Sequence, residues 1–158
     1  MSLIDKSFTY IKYNRLTIFI SETPDDSTIE SFINQLYNHS IKHVVRLCGH
    51  TYDQYPILNS NINFYDWDYP DGSVPTKELI IKWNQLIKLN EPILVHCLAG
   101  LGRSPLLVAI SLIENKMNQY DAIEYIRCKR PGSINSIQLK WLRKYKPTKI
   151  SFFKRIFG

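Results

Sequence analysis

The chain has 158 residues, 44% of them hydrophobic and 22% charged, with a formal net charge of +6. That is long enough for one domain with a packed core, and ordinary enough in composition to exclude a disordered or fibrous chain. No apolar run approaches the ~20 residues of a membrane-spanning helix, the first residues lack a basic-then-apolar secretory pattern, and three cysteines cannot close a disulfide framework, so a reducing, cytoplasmic setting is expected.

Residues 8–11 and 16–20 flank Asn14 and read as two strands of a hairpin or meander. Residues 23–27 look like a helix start, with Ile29, Phe32, Ile33 and Leu36 following at helical spacing. Residues 43–47 read as a second-layer strand that ends at Cys48-Gly49, and residues 62–67 alternate as another strand. Residues 68–72 form a loop by composition. Thr76 suits the cap of a helix whose apolar stripe is Leu79, Ile80, Trp83, Leu86 and Ile87. Pro92 ends that helix, residues 93–96 form a buried strand, and three helices are expected at about 103–115, 119–129 and 135–145, the last two separated by Pro131-Gly132. Strands alternating with helices imply an α/β domain: a mainly parallel sheet of about five strands with helices on both faces.

The last acidic residue is Glu124, and half of the 20 Lys and Arg residues follow it. The plain reading is a solvated helix face plus a tail over residues 148–158, separate from a domain over 1–147. A surface for anionic lipid or nucleic acid is the sharper one.

Residues 93–105 carry the chemistry: a short strand, Cys97, then Leu98-Ala99-Gly100-Leu101-Gly102, then Arg103-Ser104-Pro105 opening a helix. A strand, a glycine-bearing loop and a helix start in that order make an anion cradle, because loop N–H groups converge and the helix N-terminus adds positive potential. The same potential, with Arg103 beside it, favours the thiolate of Cys97. The planar fork of Arg103 can hold two oxygens of one phosphoryl group. The implied chemistry is attack of the thiolate on phosphorus to give a cysteinyl-phosphate. A leaving oxyanion then needs a proton; Asp71 is the leading candidate, with Asp68 and Asp66 as competitors. Ser104 can donate a hydrogen bond to the thiolate when water breaks the intermediate. His96 is not read as a base, since neighbouring strand residues point to opposite faces. Cys48, Asp71 and Cys97 all follow strands, and a parallel sheet gathers such positions on one edge.

At His96-Cys97-(five residues)-Arg103-Ser104 the chain resembles the cysteine-dependent protein tyrosine phosphatases. It is most similar to the phosphatases of regenerating liver, the PRL family, also at Arg46-Leu47-Cys48, Asp66-Trp67, Asp71-Gly72 and the run over 129–139. The resemblance covers roughly residues 8–147. It implies a single-domain protein tyrosine phosphatase fold, with Cys97 as nucleophile, Arg103 as phosphate clamp with the loop 98–102, and Asp71 as general acid, and no cofactor or metal. It further implies a reversible disulfide between Cys48 and Cys97, and as a partner the CBS-pair domain of cyclin-M-type magnesium transporters.

Three positions depart from the family. Ser104 stands where it has alanine, so more complete turnover is expected here. Pro70 and Gly49 stand where it has aspartates, which weighs against the transporter partner. The sequence ends Arg155-Ile156-Phe157-Gly158 without a prenylation cysteine, so no prenyl anchor is expected. Instead Ile150, Phe152, Phe153, Ile156 and Phe157 interleave with Lys149, Lys154 and Arg155, a mixture suited to an anionic membrane interface. The reading is a phosphatase acting on phosphotyrosine in proteins, extended to phosphoserine and phosphothreonine if the pocket is shallow. The alternatives are a phosphate-cradle binding module with weak catalysis, and a phosphoinositide or RNA 5′-phosphatase. No aromatic-rich RNA-recognition pattern favours the last.

Overall fold

A computed structural model describes residues 8–148. Five strands, β1 (Thr9–Tyr13), β2 (Leu16–Ser21), β3 (His43–Arg46), β4 (Asn63–Asp66) and β5 (Ile93–His96), form one sheet in the order β1-β2-β5-β3-β4. β1 runs antiparallel to β2 through a tight turn at Asn14, whose φ of 50° is one that asparagine tolerates well. The other pairings are parallel. The segment 43–46 is therefore not in a second layer. Its residues are all buried because β3 lies between β5 and β4 with both faces covered, and a strand buried on both faces shows no alternation by which to assign a layer.

Six helices complete the described residues: α1 (Ile29–Asn38), α2 (Tyr55–Leu58), α3 (Lys77–Ile87), α4 (Arg103–Glu114), α5 (Gln119–Lys129) and α6 (Ser136–Lys144). The four-residue α2 is too short for a helical period and escaped the sequence reading. α1 begins later than residues 23–27 suggest. The Asp25 carboxylate accepts from the N–H groups of Ser27 (2.9 Å) and Thr28 (3.0 Å), which makes that stretch a side-chain-closed turn preceding the helix. Thr76, Asn118 and Asn135 each cap the following helix by accepting a backbone N–H.

The sheet divides the core by strand parity. Ile18, Ile20, Val45, Ile93 and Val95 face one cluster, under α3, α4, α5 and α6, while Phe19, Val44 and Leu94 face the other, under α1 and α2. Every residue from Arg103 to Ile113 is buried, so α4 is the central helix of the larger side. Trp83 of α3 locks against it, donating from Nε1 to Ser111 Oγ (2.6 Å). Truncating a side chain buried like this costs about 3–5 kcal/mol. At the far end of α4 the Glu114 carboxylate accepts from the Tyr145 hydroxyl (2.6 Å) and the Thr148 N–H (3.0 Å), fixing the last described residues to the domain.

Candidate active site

β5 delivers the site. Its parity turns Val95 toward the larger cluster and His96 to the other side, where His96 meets Tyr52 and the edge of the Phe32 ring, and the next residue, Cys97, joins the larger cluster. His96 Nε2 lies 2.8 Å from the Tyr52 hydroxyl and Nδ1 3.3 Å from the Cys97 carbonyl. Burial pushes the imidazole down to about 4, so it is neutral near pH 7. His96 thus supports the backbone beneath Cys97 and lies on the opposite side of the sheet from the cluster that Cys97 joins.

The loop after Cys97 has its carbonyls pulled outward. Leu98 O accepts from Thr23 N–H (2.9 Å) and Leu101 O from Ile134 N–H (2.8 Å). Arg130 donates to the two between, from Nη2 to Ala99 O (2.9 Å) and from Nε to Gly100 O (2.7 Å), while its Nη1 reaches Thr9 on β1 (2.9 Å). In a trans peptide the C=O and the following N–H point in opposite directions. Four outward carbonyls therefore turn the N–H groups of Ala99, Gly100, Leu101 and Gly102 inward. Among the described residues none of these N–H groups donates to a protein acceptor. Gly100 must be glycine: its φ is +72°, and a Cβ there would come within 2.7 Å of the Ser21 carbonyl oxygen. α4 opens on Gly102 with no side-chain cap, leaving its first amides to face the same concavity.

Arg103 is 4% exposed. Its Nη1 donates to Asp68 Oδ1 (3.3 Å) and to the Tyr69 carbonyl (3.0 Å), and the Tyr69 hydroxyl returns a bond to the Arg103 carbonyl (3.0 Å). Nε lies 3.7 Å from Asp71 Oδ1, too far for a hydrogen bond, and is buried without a partner. Ser104 Oγ is likewise buried and unpartnered. Cys97, Arg103, Ser104 and Asp71 are thus brought to one place, with Asp71 on an exposed loop beside the buried guanidinium. Asp66 is not there: it pairs with Arg46 through two hydrogen bonds of 3.0 Å, and Arg46 holds its carboxyl below the usual range. Asp68 is engaged by Arg103 itself.

Cys48 follows β3, the neighbour of β5, and is buried as a free thiol with Sγ 3.9 Å from His96 Nδ1. Burial pushes this thiol up. Cys128 is exposed on α5. The sequence reading gave no role to Arg130, Ile134, Asn135 or Gln138, all of which frame the site. Beyond their place in the family-like run over 129–139, the local signal was Asn135 followed three residues later by Gln138, a capping-box spacing that marks a helix start and says nothing of its neighbours. Ile134 is a buried β-branched residue at φ +69°, a strained conformation costing about 1–3 kcal/mol that its bond to Leu101 and the Arg127 bonds to Ser133 and Ile134 carbonyls sustain.

A thiol at a strand end, inward amides and a buried arginine at a helix start define a class of proteins that handle phosphoryl groups through cysteine. The sequence family described as "Dual specificity phosphatase, catalytic domain" matches residues 25–148. Mouse protein tyrosine phosphatase type IVA 3 is 41% identical over 150 residues, covering 91% of this chain and 87% of that protein. Protein tyrosine phosphatase PRL-1 of Trypanosoma cruzi is 37% identical over 135 residues, covering 81% and 77%. A solved structure assigned as a protein tyrosine phosphatase of Leishmania major superposes with a TM-score of 0.81 at 33% identity, covering 88% of this chain and 98% of that one. The chain belongs to the dual specificity phosphatases and, within them, to the type IVA or PRL protein tyrosine phosphatases.

Proposed function

We propose that this protein hydrolyses phosphotyrosine in protein substrates through a cysteinyl-phosphate, with phosphoserine and phosphothreonine as further substrates. The observation that carries the reading is the set of four loop carbonyls held outward, which turns a ring of amides toward the space above Cys97 with Arg103 at its side. In the first step the Cys97 thiolate attacks phosphorus in line, the P–O bond to the tyrosyl oxygen breaks, and Asp71 gives its proton to the departing phenolate. The phosphoryl oxygens keep their charge throughout, held by the amides and the guanidinium. In the second step Asp71 takes a proton from water as the water attacks phosphorus, the P–S bond breaks, and the Ser104 hydroxyl stabilises the returning thiolate. The buried Arg103 Nε and Ser104 Oγ, both without a hydrogen-bond partner in the protein, support these two assignments.

Cys97→Ser is expected to abolish phosphate release from a phosphotyrosyl peptide, and acid-quenched wild type is expected to carry one phosphate on the Cys97 peptide by mass spectrometry. Release that survives Cys97→Ser sinks the reading. Two further elements belong with it. Cys48, buried on the strand next to that of Cys97, is the partner for a reversible disulfide that protects the nucleophile. The tail over 148–158, nearly all of it outside the described residues, would hold the enzyme at anionic membrane surfaces, and liposome co-sedimentation with and without it reads that out. Gly49 and Pro70 leave the magnesium-transporter partner without the aspartates it would need.

A further inference from the structure

The loop that carries Asp71 is held from two sides. On the α4 side, Tyr69 exchanges two hydrogen bonds with Arg103. On the other side stand two side-chain amides at the N-terminus of α6, its cap residue and one from its first turn. Asn135 Nδ2 donates to the Gly72 carbonyl (3.1 Å), and Gln138 Nε2 donates to the Ser73 carbonyl (3.1 Å). These are the two carbonyls immediately after Asp71. Gly72, at φ +72°, makes the turn that presents its carbonyl to Asn135, and a Cβ there would lie 3.3 Å from Asn135 Nδ2. With both neighbours fixed, Asp71 keeps its carboxylate 3.7 Å from Arg103 Nε and close over Gly102.

The same two side chains also build the helix start. Asn135 Oδ1 accepts from Gln138 N–H (2.8 Å), and Gln138 Oε1 accepts from Asn135 N–H (3.1 Å). A cap needs only the oxygen of Asn135, since aspartate and serine cap as well as asparagine does. The amide nitrogen is surplus to capping, and it is the atom turned to the acid loop. The strained Ile134 immediately before it ties this turn to Leu101 of the phosphate loop, so one short segment fixes both the cradle and the loop that reaches over it.

We propose that Asn135, assisted by Gln138, is a positioning residue: it latches the loop over 70–73 so that Asp71 stands ready above the cradle before substrate arrives. The inference rests on the reading of Asp71 as the acid. A general acid contributes about 10²–10⁴-fold, and a displacement of about 1 Å removes much of that, so the latch acts on proton transfer and not on phosphate binding.

Asn135→Asp and Asn135→Ser keep an N-cap oxygen and lose the donor to Gly72. Both variants, with Asp71→Asn and the double variant Asp71→Asn/Asn135→Ser, are assayed on phenyl phosphate, whose leaving group needs a proton, and on 2,4-dinitrophenyl phosphate, whose leaving group does not. Both Asn135 variants are expected to lose about ten-fold or more in kcat/KM on phenyl phosphate and to stay within about two-fold on the dinitrophenyl ester. Asp71→Asn should show the same split more strongly, and the double variant should lose nothing further. An equal fall on both esters, or none on phenyl phosphate, overturns the latch. If Asp71→Asn itself produces no split, the assignment of the acid fails instead. Thermal melts of each variant show whether α6 remains folded.

Discussion

Two arginines are buried among the described residues, and they are partnered very differently. Arg46, 1% exposed, is nearly saturated: Nε and Nη2 hold both oxygens of Asp66, Nη2 also reaches Gln54, Nη1 reaches the Tyr52 carbonyl, and the guanidinium lies over the rings of Tyr52 and Phe64. Arg103, 4% exposed, has one carboxylate hydrogen bond at 3.3 Å, one to a carbonyl, and a buried Nε with no hydrogen bond, only the Asp71 carboxylate at 3.7 Å. Leaving a buried charged donor unmet is costly, so folds do it where a ligand supplies the acceptor. Arg46 welds the end of β3 to β4 and the loop after Cys48. Arg103 is held in place by two bonds and keeps an unmet donor, which is what the proposed phosphate clamp needs.

The largest effects should separate the two. Arg103→Ala should lower kcat/KM on a phosphotyrosyl peptide roughly a thousand-fold while the melting temperature barely moves. Arg46→Met should do the reverse, costing about 3 kcal/mol of stability by breaking the bonds to Asp66, Gln54 and the Tyr52 carbonyl together, with kcat per folded molecule near wild type. The contrast is broken if Arg46→Met folds normally yet is as inactive as Arg103→Ala.

His96 sharpens the comparison on the Arg46 side of β5. Its folded value of about 4 lies below the ordinary 6.5, so the unfolded chain binds the extra proton. The contribution of His96 to stability is therefore expected to be complete above pH 6.5 and to be lost as pH falls from there through 4, by an amount on the order of 3 kcal/mol. Urea titrations at pH 7, 5.5 and 4.5 should show that slope in wild type and a flatter one in His96→Asn. Parallel slopes would mean that other groups carry the acid sensitivity.

The smallest effect belongs to Ser104, next to Arg103. Ser104→Ala should slow breakdown of the cysteinyl-phosphate about ten-fold, turning steady release into a burst followed by a slow phase. Unchanged breakdown would reduce Ser104 to a packing residue.

Much of this was legible before the fold was known. The strand over 93–96, the helices after Arg103, Asn118 and Asn135, and the cap at Thr76 follow from local period and capping chemistry, which act within a few residues. What escaped has a common cause. The exclusion of Asp66 depends on Arg46, twenty residues before it; α2 is stabilised by contacts and not by its own period; and β3 could be read as a strand but not assigned to a layer.

The sequence by itself determined the chemical cast of the site: a thiol, five loop residues with two glycines, an arginine and a serine between a buried strand and a buried helix. Spacing of that kind is local, and the backbone obeys it locally. Only the tertiary structure decided how the cast is aimed. Arg130, thirty residues beyond Gly100, turns the loop carbonyls outward, and Asn135, sixty-three residues beyond Gly72, fixes the loop that bears Asp71. Hydrogen bonds across such separations depend on where the sheet places α5 and α6, and no local pattern of residues encodes that.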